Sequence, residues 1–343
     1  MSEHQTYLPA PALSILDLAI VGKGENAADA FANSVAVAQR AEERGFHRVW
    51  YAEHHNMSSI ASSATSVLIG HVADHTSTIR LGSGGIMLPN HSPLVIAEQF
   101  GTLATLHPGR IDLGLGRAPG SDQVTMHAMR VDPRSSDRFP QDVLELQGYL
   151  SGESRVTGVQ AVPGAGTHVP IYILGSSMFG AQLAAMLGLP YGFASHFAPD
   201  LLLSAVEQYR AEFRPSEHLA EPYVIAGVNV IAAPTEEDAQ AQHREVSRRR
   251  VARFLRDPRE LTDEEADRIL DSPQGQQIAR MMHYTAAGTT DLVQRYLTNF
   301  AAEVGADELM TVHPSPTLGQ RLTSIDLLAD AFDMAAPAPS LAG

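Results

Sequence analysis

The sequence contains no cysteine in its 343 residues, and this absence removes several chemistries at once. Without thiols there is no disulfide scaffold, no cysteine nucleophile, no zinc knuckle and no cysteine-ligated iron–sulfur cluster. Positive charge is also scarce, because 24 Lys and Arg residues stand against 39 Asp and Glu residues, for a net charge of −15. Such a surface repels a phosphate backbone, so we expect no nucleic-acid partner.

Long apolar runs are missing as well. No segment approaches the roughly 18 consecutive apolar residues of a membrane span. The first residues, MSEHQTYLPAPALSIL, lack the basic start and continuous apolar stretch of a signal peptide. We therefore expect no membrane partner and a cytoplasmic location. What remains is an ordinary globular composition, with 44% hydrophobic and 18% charged residues.

Eight short apolar runs alternate with longer amphipathic segments along the chain. The runs are Leu13–Leu18, Arg48–Ala52, Ile79–Met87, Ile111–Leu115, Pro170–Leu174, Tyr191–Ser195, Val224–Ile231 and Glu308–Val312. Aliphatic runs flanked by Gly, Pro or polar residues are typical of strands buried on both faces of a parallel sheet. Eight strands, each followed by a helix, predict a single (β/α)8 TIM barrel in which residues 1–343 form one domain. A doubly wound sheet is the alternative fold.

Helices are expected around residues 31–38 and at 62–76, 93–106, 137–150, 177–187, 199–212, 289–304 and 317–334. Three stretches exceed a minimal barrel unit: 116–136, 151–169 and 232–288. We expect the last to be a loop-rich excursion between the seventh and eighth strands, either a mobile lid over the barrel mouth or a plain surface excursion. Its arginines from Arg248 to Arg256 indicate a solvated helix end or, alternatively, an anion patch. The tail, 335–343, is expected to fray.

Residues that follow the carboxyl end of a barrel strand face the active site, so those positions hold the first candidates. Glu53, His54 and His55 follow the second strand. Two histidines beside an acid are costly to bury unpaired, and imidazole exchanges a proton near neutral pH. One of the pair is therefore a candidate acid–base group, unless its role is a structural hydrogen bond to a neighbouring strand.

The next two strands carry candidates of another kind, glycine within the third and arginine after the fourth. Gly84 and Gly85 lie inside the third strand, where either a ligand approaches the backbone closely or the strand bulges. Arg117 follows the fourth strand and is suited to bind a phosphate or carboxylate, with an ordinary surface arginine as the alternative.

A helix start follows the fifth strand. Gly175, Ser176 and Ser177 offer small residues, hydroxyls and free N–H groups that would form an anion cradle, although serine also caps ordinary helices. No metal site is expected, because the chain lacks HExxH and a carboxylate cluster at strand ends. His71 and His75 fall in a helix body, which favours a surface or interface position.

Several motifs together resemble one known family. WYAEHH (50–55), LGSGGIMLP (81–89), PGRIDLGLGR (108–117) and LGSS (174–177) with GLPYGFASHF (188–197) are similar to bacterial luciferase-like flavin-dependent monooxygenases. The last pair resembles the subgroup labelled luciferase family oxidoreductase group 1. The resemblance runs in order from about Leu13 to Ala329.

The resemblance implies a barrel that binds reduced FMN at the carboxyl ends of its strands. In the family, reduced flavin and O2 form a C4a-peroxide that inserts one oxygen atom into an organic substrate, which we expect here to be small and apolar. A separate NAD(P)H:flavin reductase would supply the reduced FMN. The helical segments 61–75 and 93–106 are more apolar than one barrel-facing side requires, so we expect a second buried surface, unless small residues such as Ala61 and Ala64 merely allow tight packing within the barrel. In the family the corresponding region pairs subunits, so we expect a homodimer.

Carried over residue by residue, the resemblance makes His54 the active-site histidine. It implies that Gly84 and Gly85 are joined by a non-prolyl cis peptide beneath the flavin ring. The full set of implied cofactor-binding residues is Gly84, Gly85, Arg117, Gly175, Ser176 and Ser177.

Two departures from luciferase stand beside these matches. Gly116 replaces a reactive cysteine and Gly175 replaces an acidic residue near the phosphate, so we do not expect light emission. Two functions are alternatives to FMN-dependent oxygenation: hydride transfer with the deazaflavin F420, and flavin binding without turnover. The eight intact strand signals and His54 favour an enzyme.

Overall fold

Parallel strands alternate with helices in the computed structural model, which describes residues 11–118, 122–255 and 261–335. The strands are β1 (Ala12–Asp17), β2 (Arg48–Tyr51), β3 (Arg80–Met87), β4 (Ile111–Gly116), β5 (Ile171–Gly175), β6 (Tyr191–Phe193), β7 (Val224–Ala232), β8 (Thr285–Gly288) and β9 (Glu308–Val312). Eight of them close into a ring in the order β1-β2-β3-β4-β5-β6-β7-β9, because β6 pairs with β7 and β9 pairs with both β7 and β1. The predicted (β/α)8 barrel is confirmed.

Helices connect the strands around the outside of the barrel. They are α1 (Ala27–Glu43), α2 (Thr65–Ala73), α3 (Pro93–Leu106), α4 (Gln123–Ala128), α5 (Phe139–Ser151), α6 (Met178–Leu187), α7 (Leu202–Glu212), α8 (Glu236–Leu255), α9 (Asp263–Leu270), α10 (Pro273–Arg280), α11 (Thr290–Val304) and α12 (Leu318–Ala331). α1 shows why they start where they do. The Asn26 side chain accepts from the backbone N–H groups of Ala28 and Asp29, and the Asp29 side chain accepts from the N–H of Asn26.

Ionic side chains close the amino end of the barrel. Arg48, at the start of β2, binds Asp112 at 2.8 Å and Glu308 at 3.0 Å, and it donates to the Tyr172 hydroxyl at 2.6 Å. These groups are buried, and a buried charge is tolerated when it is paired and hydrogen-bonded in this way. Because this end is occupied by structural ion pairs, the carboxyl end is the side of the barrel that can host chemistry.

The excursion at 232–288 is helical, so our expectation of a loop-rich segment is wrong. It contains α8, α9 and α10, and its strand β8 extends the sheet by pairing with the last residues of β7. Thr262 and Ser272 accept backbone N–H bonds at the starts of α9 and α10, which stabilises both short helices. Arg248 of α8 binds Asp263 and Asp267 of α9 at 2.6 and 2.5 Å. Arg248 is therefore an ion-paired residue, neither simply solvated nor an anion patch.

Part of two sequence predictions lies outside the described residues. Of the tail predicted to fray, only Ala335 is described, and the strip predicted as a possible lid includes 256–260, which are not described. Within the described ranges, no helix combines the length and the apolar character needed to cross a bilayer.

Candidate active site

Glu53 organises the rim of the barrel where β2 and β3 end. The residue is buried, and its carboxylate accepts hydrogen bonds from His55 Nε2 at 2.8 Å, His91 Nε2 at 2.9 Å and the Met87 N–H at 2.9 Å. Burial raises the pKa of Glu53, but the bonds from His55, His91 and Met87 outweigh it and lower this pKa to about 2. Glu53 is thus an ionised carboxylate that ties the two strand ends together.

The two adjacent histidines have different surroundings. His55 bonds to Glu53 on its own segment and not to a neighbouring strand. His54 is half-buried and lies close enough to His196 for the two imidazoles to interact electrostatically. His54 therefore lies between two hydrogen-bonded residues, Glu53 and His55, at the carboxyl end of β2.

The middle of β3 consists of two glycines, Gly84 and Gly85, and neighbouring residues pack close to their backbone. The Gly84–Gly85 peptide bond is cis, as the resemblance implies, and the register with β4 shifts between Ser83 and Ile86. A Cβ on Gly84 would lie 2.7 Å from Leu16 Cδ1, and one on Gly85 would lie 2.7 Å from the Gly114 carbonyl oxygen. A side chain at Gly85 would meet the backbone of Gly114, and one at Gly84 would press on Leu16 and Trp50, so both positions carry backbone without side chains.

Arg117 and the first turn of α6 come together beyond β4 and β5. The guanidinium carbon of Arg117 lies 4.1 Å from the centre of the Phe179 ring, a cation–π contact that holds the arginine against α6. Ser177 is the N-cap residue, yet its side chain makes no capping bond with a described residue. The Tyr191 hydroxyl donates to the Ser177 carbonyl at 3.2 Å and fixes this turn. A cation beside free helix N–H groups favours a dianion.

Gly175 and Ser176 connect β5 to this turn. Gly175 ends β5, its carbonyl accepts the Ala194 N–H at 2.9 Å, and both residues are half-buried. The residues predicted for the cofactor therefore lie inside β3 (Gly84 and Gly85) and at or just beyond the carboxyl ends of β4 and β5. These three strands are consecutive in the ring, and His54 follows the adjacent β2.

His196 is a site residue that the sequence analysis did not single out. It follows β6, its carbonyl accepts the Asn229 side-chain amide at 2.8 Å, and a Cβ on Gly227 would lie 2.4 Å from its Nδ1. Burial, the charge of Arg250 on α8 and His54 lower the pKa of His196 to about 3, so its imidazole is neutral near pH 7. Its place after a barrel strand was the available signal.

A cavity of about 400 Å³ opens at the other end of the barrel. His47, Arg48, Tyr172 and Tyr223 contribute to its lining. These residues lie at or next to the amino ends of strands or inside the structural ion network, away from every candidate residue. Because barrel enzymes place chemistry at the carboxyl ends of strands, we assign the site to the rim that carries His54.

Known proteins of one family match most of the chain. A family model described as luciferase-like monooxygenase matches residues 13–308. A luciferase-like monooxygenase of Escherichia coli strain K12 is 57% identical over 230 residues, covering 67% of this chain and 69% of that protein. The Bacillus subtilis protein YvbT is 47% identical over 327 residues, covering 93% and 96%. The N-acetyl-S-alkylcysteine monooxygenase of B. subtilis is 34% identical over 330 residues, covering 93% and 97%.

Solved structures share the fold. Apo-MsnO8 superposes with a TM-score of 0.85 at 35% identity, covering 95% of this chain and 99% of that one. An FMN complex of a type II Baeyer–Villiger monooxygenase from Pseudomonas putida has a TM-score of 0.69, with 96% and 100% covered. An F420-dependent secondary alcohol dehydrogenase has a TM-score of 0.70, with 94% and 99% covered. These last two are each 15% identical to this chain and are comparable in fold alone.

Proposed function

This chain belongs to the luciferase-like monooxygenase family of flavin-dependent oxidoreductases, and we propose that it uses reduced FMN and O2 to oxygenate a small, apolar organic substrate. The observation that carries the proposal is the contact of Arg117 with the first turn of α6, on the same rim as the bare backbone of Gly84 and Gly85. The first feature suits a phosphate and the second suits a flat ring.

The residues on the rim fit FMN in charge and in shape. Arg117 and the N–H groups that follow Ser177 supply the positive potential that a phosphate dianion requires. Gly84 and Gly85 present backbone without side chains, so an aromatic ring can lie against β3. Gly175 and Ser176 would line the passage between these two parts. Residues on or after three neighbouring strands, β3, β4 and β5, would thus each contact one part of FMN.

Reduced FMN, when bound, supplies the two electrons with which one atom of O2 enters the substrate and the other leaves as water. His54 gives and takes a proton at its imidazole, the side chain that most often serves as a general acid or base. His196 stays neutral and offers a hydrogen bond without adding charge. α8 brings Arg250 close to His196 and helps to enclose the rim.

The cofactor assignment is tested by titrating the purified apoprotein with FMN, reduced FMN and F420. We expect FMN to bind more tightly than F420, and Arg117→Ala to weaken FMN binding about ten- to a hundred-fold, the loss of about 1.5–3 kcal/mol for a charge-assisted bond. Arg134→Ala removes a largely exposed arginine and serves as the control. Unchanged FMN affinity in Arg117→Ala contradicts the phosphate assignment, and preferential F420 binding favours hydride transfer instead.

The substrate and the electron supply need a separate experiment. We infer a separate cytoplasmic NAD(P)H:flavin reductase, so the isolated protein should not oxidise NAD(P)H until such a reductase is added. Product analysis with aldehydes and ketones plus reduced FMN tests the oxygenation. N-acetyl-S-alkylcysteines join this panel because one relative is named for them. Product without any flavin would contradict the proposal.

A further inference from the structure

Arg321, on the first turns of α12, is a buried cation without a counter-ion in the described chain. The residue is only 6% exposed, and its Nε is buried with no hydrogen-bond partner among residues 11–118, 122–255 and 261–335. None of the ion pairs found in those ranges includes its guanidinium. A charge in this position costs free energy unless a partner compensates it.

Arg48 shows how this chain treats a buried arginine elsewhere. It is 3% exposed, and Asp112, Glu308 and Tyr172 all bind its guanidinium. The chain has 15 more acidic than basic residues, so a carboxylate for Arg321 was not in short supply. The contrast indicates that the anion for Arg321 comes from outside the described chain.

His313, an imidazole near Arg321 in the fold, does not compensate the charge of Arg321. His313 lies between Thr311 Oγ1 at 3.1 Å and Ser324 Oγ at 2.9 Å, so both ring nitrogens are engaged. Burial and the charge of Arg321 lower the pKa of His313 to about 3. His313 is therefore a neutral, structurally bonded group.

A second unsatisfied donor lies on the same connection. Ser315, between β9 and α12, is 3% exposed, and its Oγ has no hydrogen-bond partner in the described ranges. The start of α12 is already capped, because Thr317 and Gln320 form a reciprocal capping box. The donors that await a partner are therefore the side chains of Arg321 and Ser315, not the helix N–H groups.

The position of this connection separates it from the phosphate cradle. β9 is four strands away from β4 in the ring of eight, so Arg321 and Arg117 lie beyond opposite strands of the barrel. Both follow carboxyl strand ends and so belong to the same rim. An FMN phosphate held by Arg117 cannot also neutralise Arg321.

We propose that Arg321 and Ser315 bind a carboxylate of the organic substrate. A guanidinium fork matches the two oxygens of a carboxylate, and a serine hydroxyl donates a further bond. This rests on the proposed function for the identity of the ligand as substrate. The substrate is then a molecule with an apolar body and one carboxylate, held on the far side of the rim from the FMN phosphate.

The experiment uses the full-length apoprotein, with hexanoate as probe and hexanamide as its uncharged match at constant ionic strength. Calorimetric titration and thermal unfolding should show saturable binding of hexanoate and not of hexanamide. Arg321→Met should weaken hexanoate binding about ten- to a hundred-fold. Arg321→Lys should weaken it less, because the charge remains while the fork is lost. Arg134→Met, which removes an exposed arginine, should bind hexanoate like the wild type.

Two further measurements distinguish a substrate site from a purely structural arginine and from a phosphate site. Arg321→Met should unfold at the wild-type temperature or above it, since loss of an uncompensated buried charge does not destabilise the apoprotein. The FMN affinity of Arg321→Met should equal that of the wild type.

Four results overturn the proposal. Two concern the probe: no saturable hexanoate binding by the wild type, or unchanged hexanoate binding in Arg321→Met. Two concern the variant: marked destabilisation, or loss of its FMN affinity, which would make the anion the cofactor phosphate. Hexanoate binding through Arg321 in a protein that binds no FMN supports the anion site and refutes the proposed function.

Discussion

Glu53 shows how one buried carboxylate couples the site to the stability of the protein. Its ordinary pKa is 4.5, and three donors lower the pKa to about 2 in the folded state. Because the folded pKa is the lower one, the stabilisation is complete above about pH 4.5 and is lost as the pH falls towards 2. At neutral pH it amounts to about 3 kcal/mol.

We therefore expect Glu53→Gln to lower the free energy of unfolding by up to about 3 kcal/mol at pH 7 and to flatten its decline between pH 4.5 and 2. Denaturant unfolding at pH 7 and pH 3 measures both effects. Glu98→Gln on α3 is the control, because Glu98 does not hold the strand ends together. An unfolding free energy equal to wild type at pH 7 would show that the cluster around Glu53 contributes no stability.

His54 and His55 should respond differently to removal. We expect His54→Ala to slow oxygenation about 10²–10⁴-fold, the usual contribution of a general acid–base group, with little change in stability. His55→Ala should chiefly lower stability, because Glu53 loses one of its donors. Stopped-flow detection of flavin intermediates together with product yield measures the first effect. Unchanged oxygenation in His54→Ala would reduce that histidine to a structural role.

Only some of these residues could be found from the sequence. The strand-end rule and the resemblance together pointed to His54, the Gly84–Gly85 pair and Arg117, because each carries its signal in a local motif. His196 follows a strand but has no neighbouring motif residue to mark it, and Arg321 lies inside a helix with no local signal. Their meaning depends on what the fold packs against them, and for Arg321 on the lack of a partner in the described chain, which no sequence pattern encodes.

At the level of elements, the contact between α8 and α9 holds the excursion together. Arg248 binds Asp263 and Asp267 across the two helices, whereas Arg249 binds Glu245 within α8 itself. We expect Arg248→Met to increase amide hydrogen exchange in α9 with little change in the melting temperature, since exposed ion pairs contribute modestly to global stability. Arg249→Met is the matched control. Equal protection of α9 in wild type and Arg248→Met would mean that apolar contacts alone hold this helix.

The elements themselves were largely predictable, and the exceptions have physical reasons. Apolar runs located all eight barrel strands to within a few residues, and the α3 prediction matched Pro93–Leu106 at both ends. α9 and α10 were missed because their sequences are polar, although Thr262 with Glu265, and Ser272 with Pro273, are recognisable helix starts. β8 was missed because Thr285–Gly288 has no branched aliphatic residue, so only its pairing with β7 makes it a strand.

At the scale of the whole molecule, the outer faces of α2 and α3 form an apolar surface that one barrel does not use. On α2, Leu68 and Ile69 are buried against the barrel, whereas Val67 is 71% exposed. On α3, Val95 is 43% and Leu106 is 66% exposed, and the Ser66 hydroxyl donates to the Gln99 side chain between the two helices. Exposed apolar side chains grouped on adjacent helices are typical of a protein–protein contact.

We expect this surface to pair two copies of the chain, with His71 and His75 of α2 near the contact. Val67→Asp should shift the protein from dimer towards monomer, because two carboxylates would be buried close to the two-fold axis, while FMN affinity stays unchanged. Sedimentation at micromolar concentration measures the mass. Val124→Asp changes a valine that is 77% exposed on α4 and should leave the mass unaltered. A wild-type mass near 36.8 kDa would refute the dimer, and since every candidate site residue comes from a single barrel, the flavin assignment would stand without it.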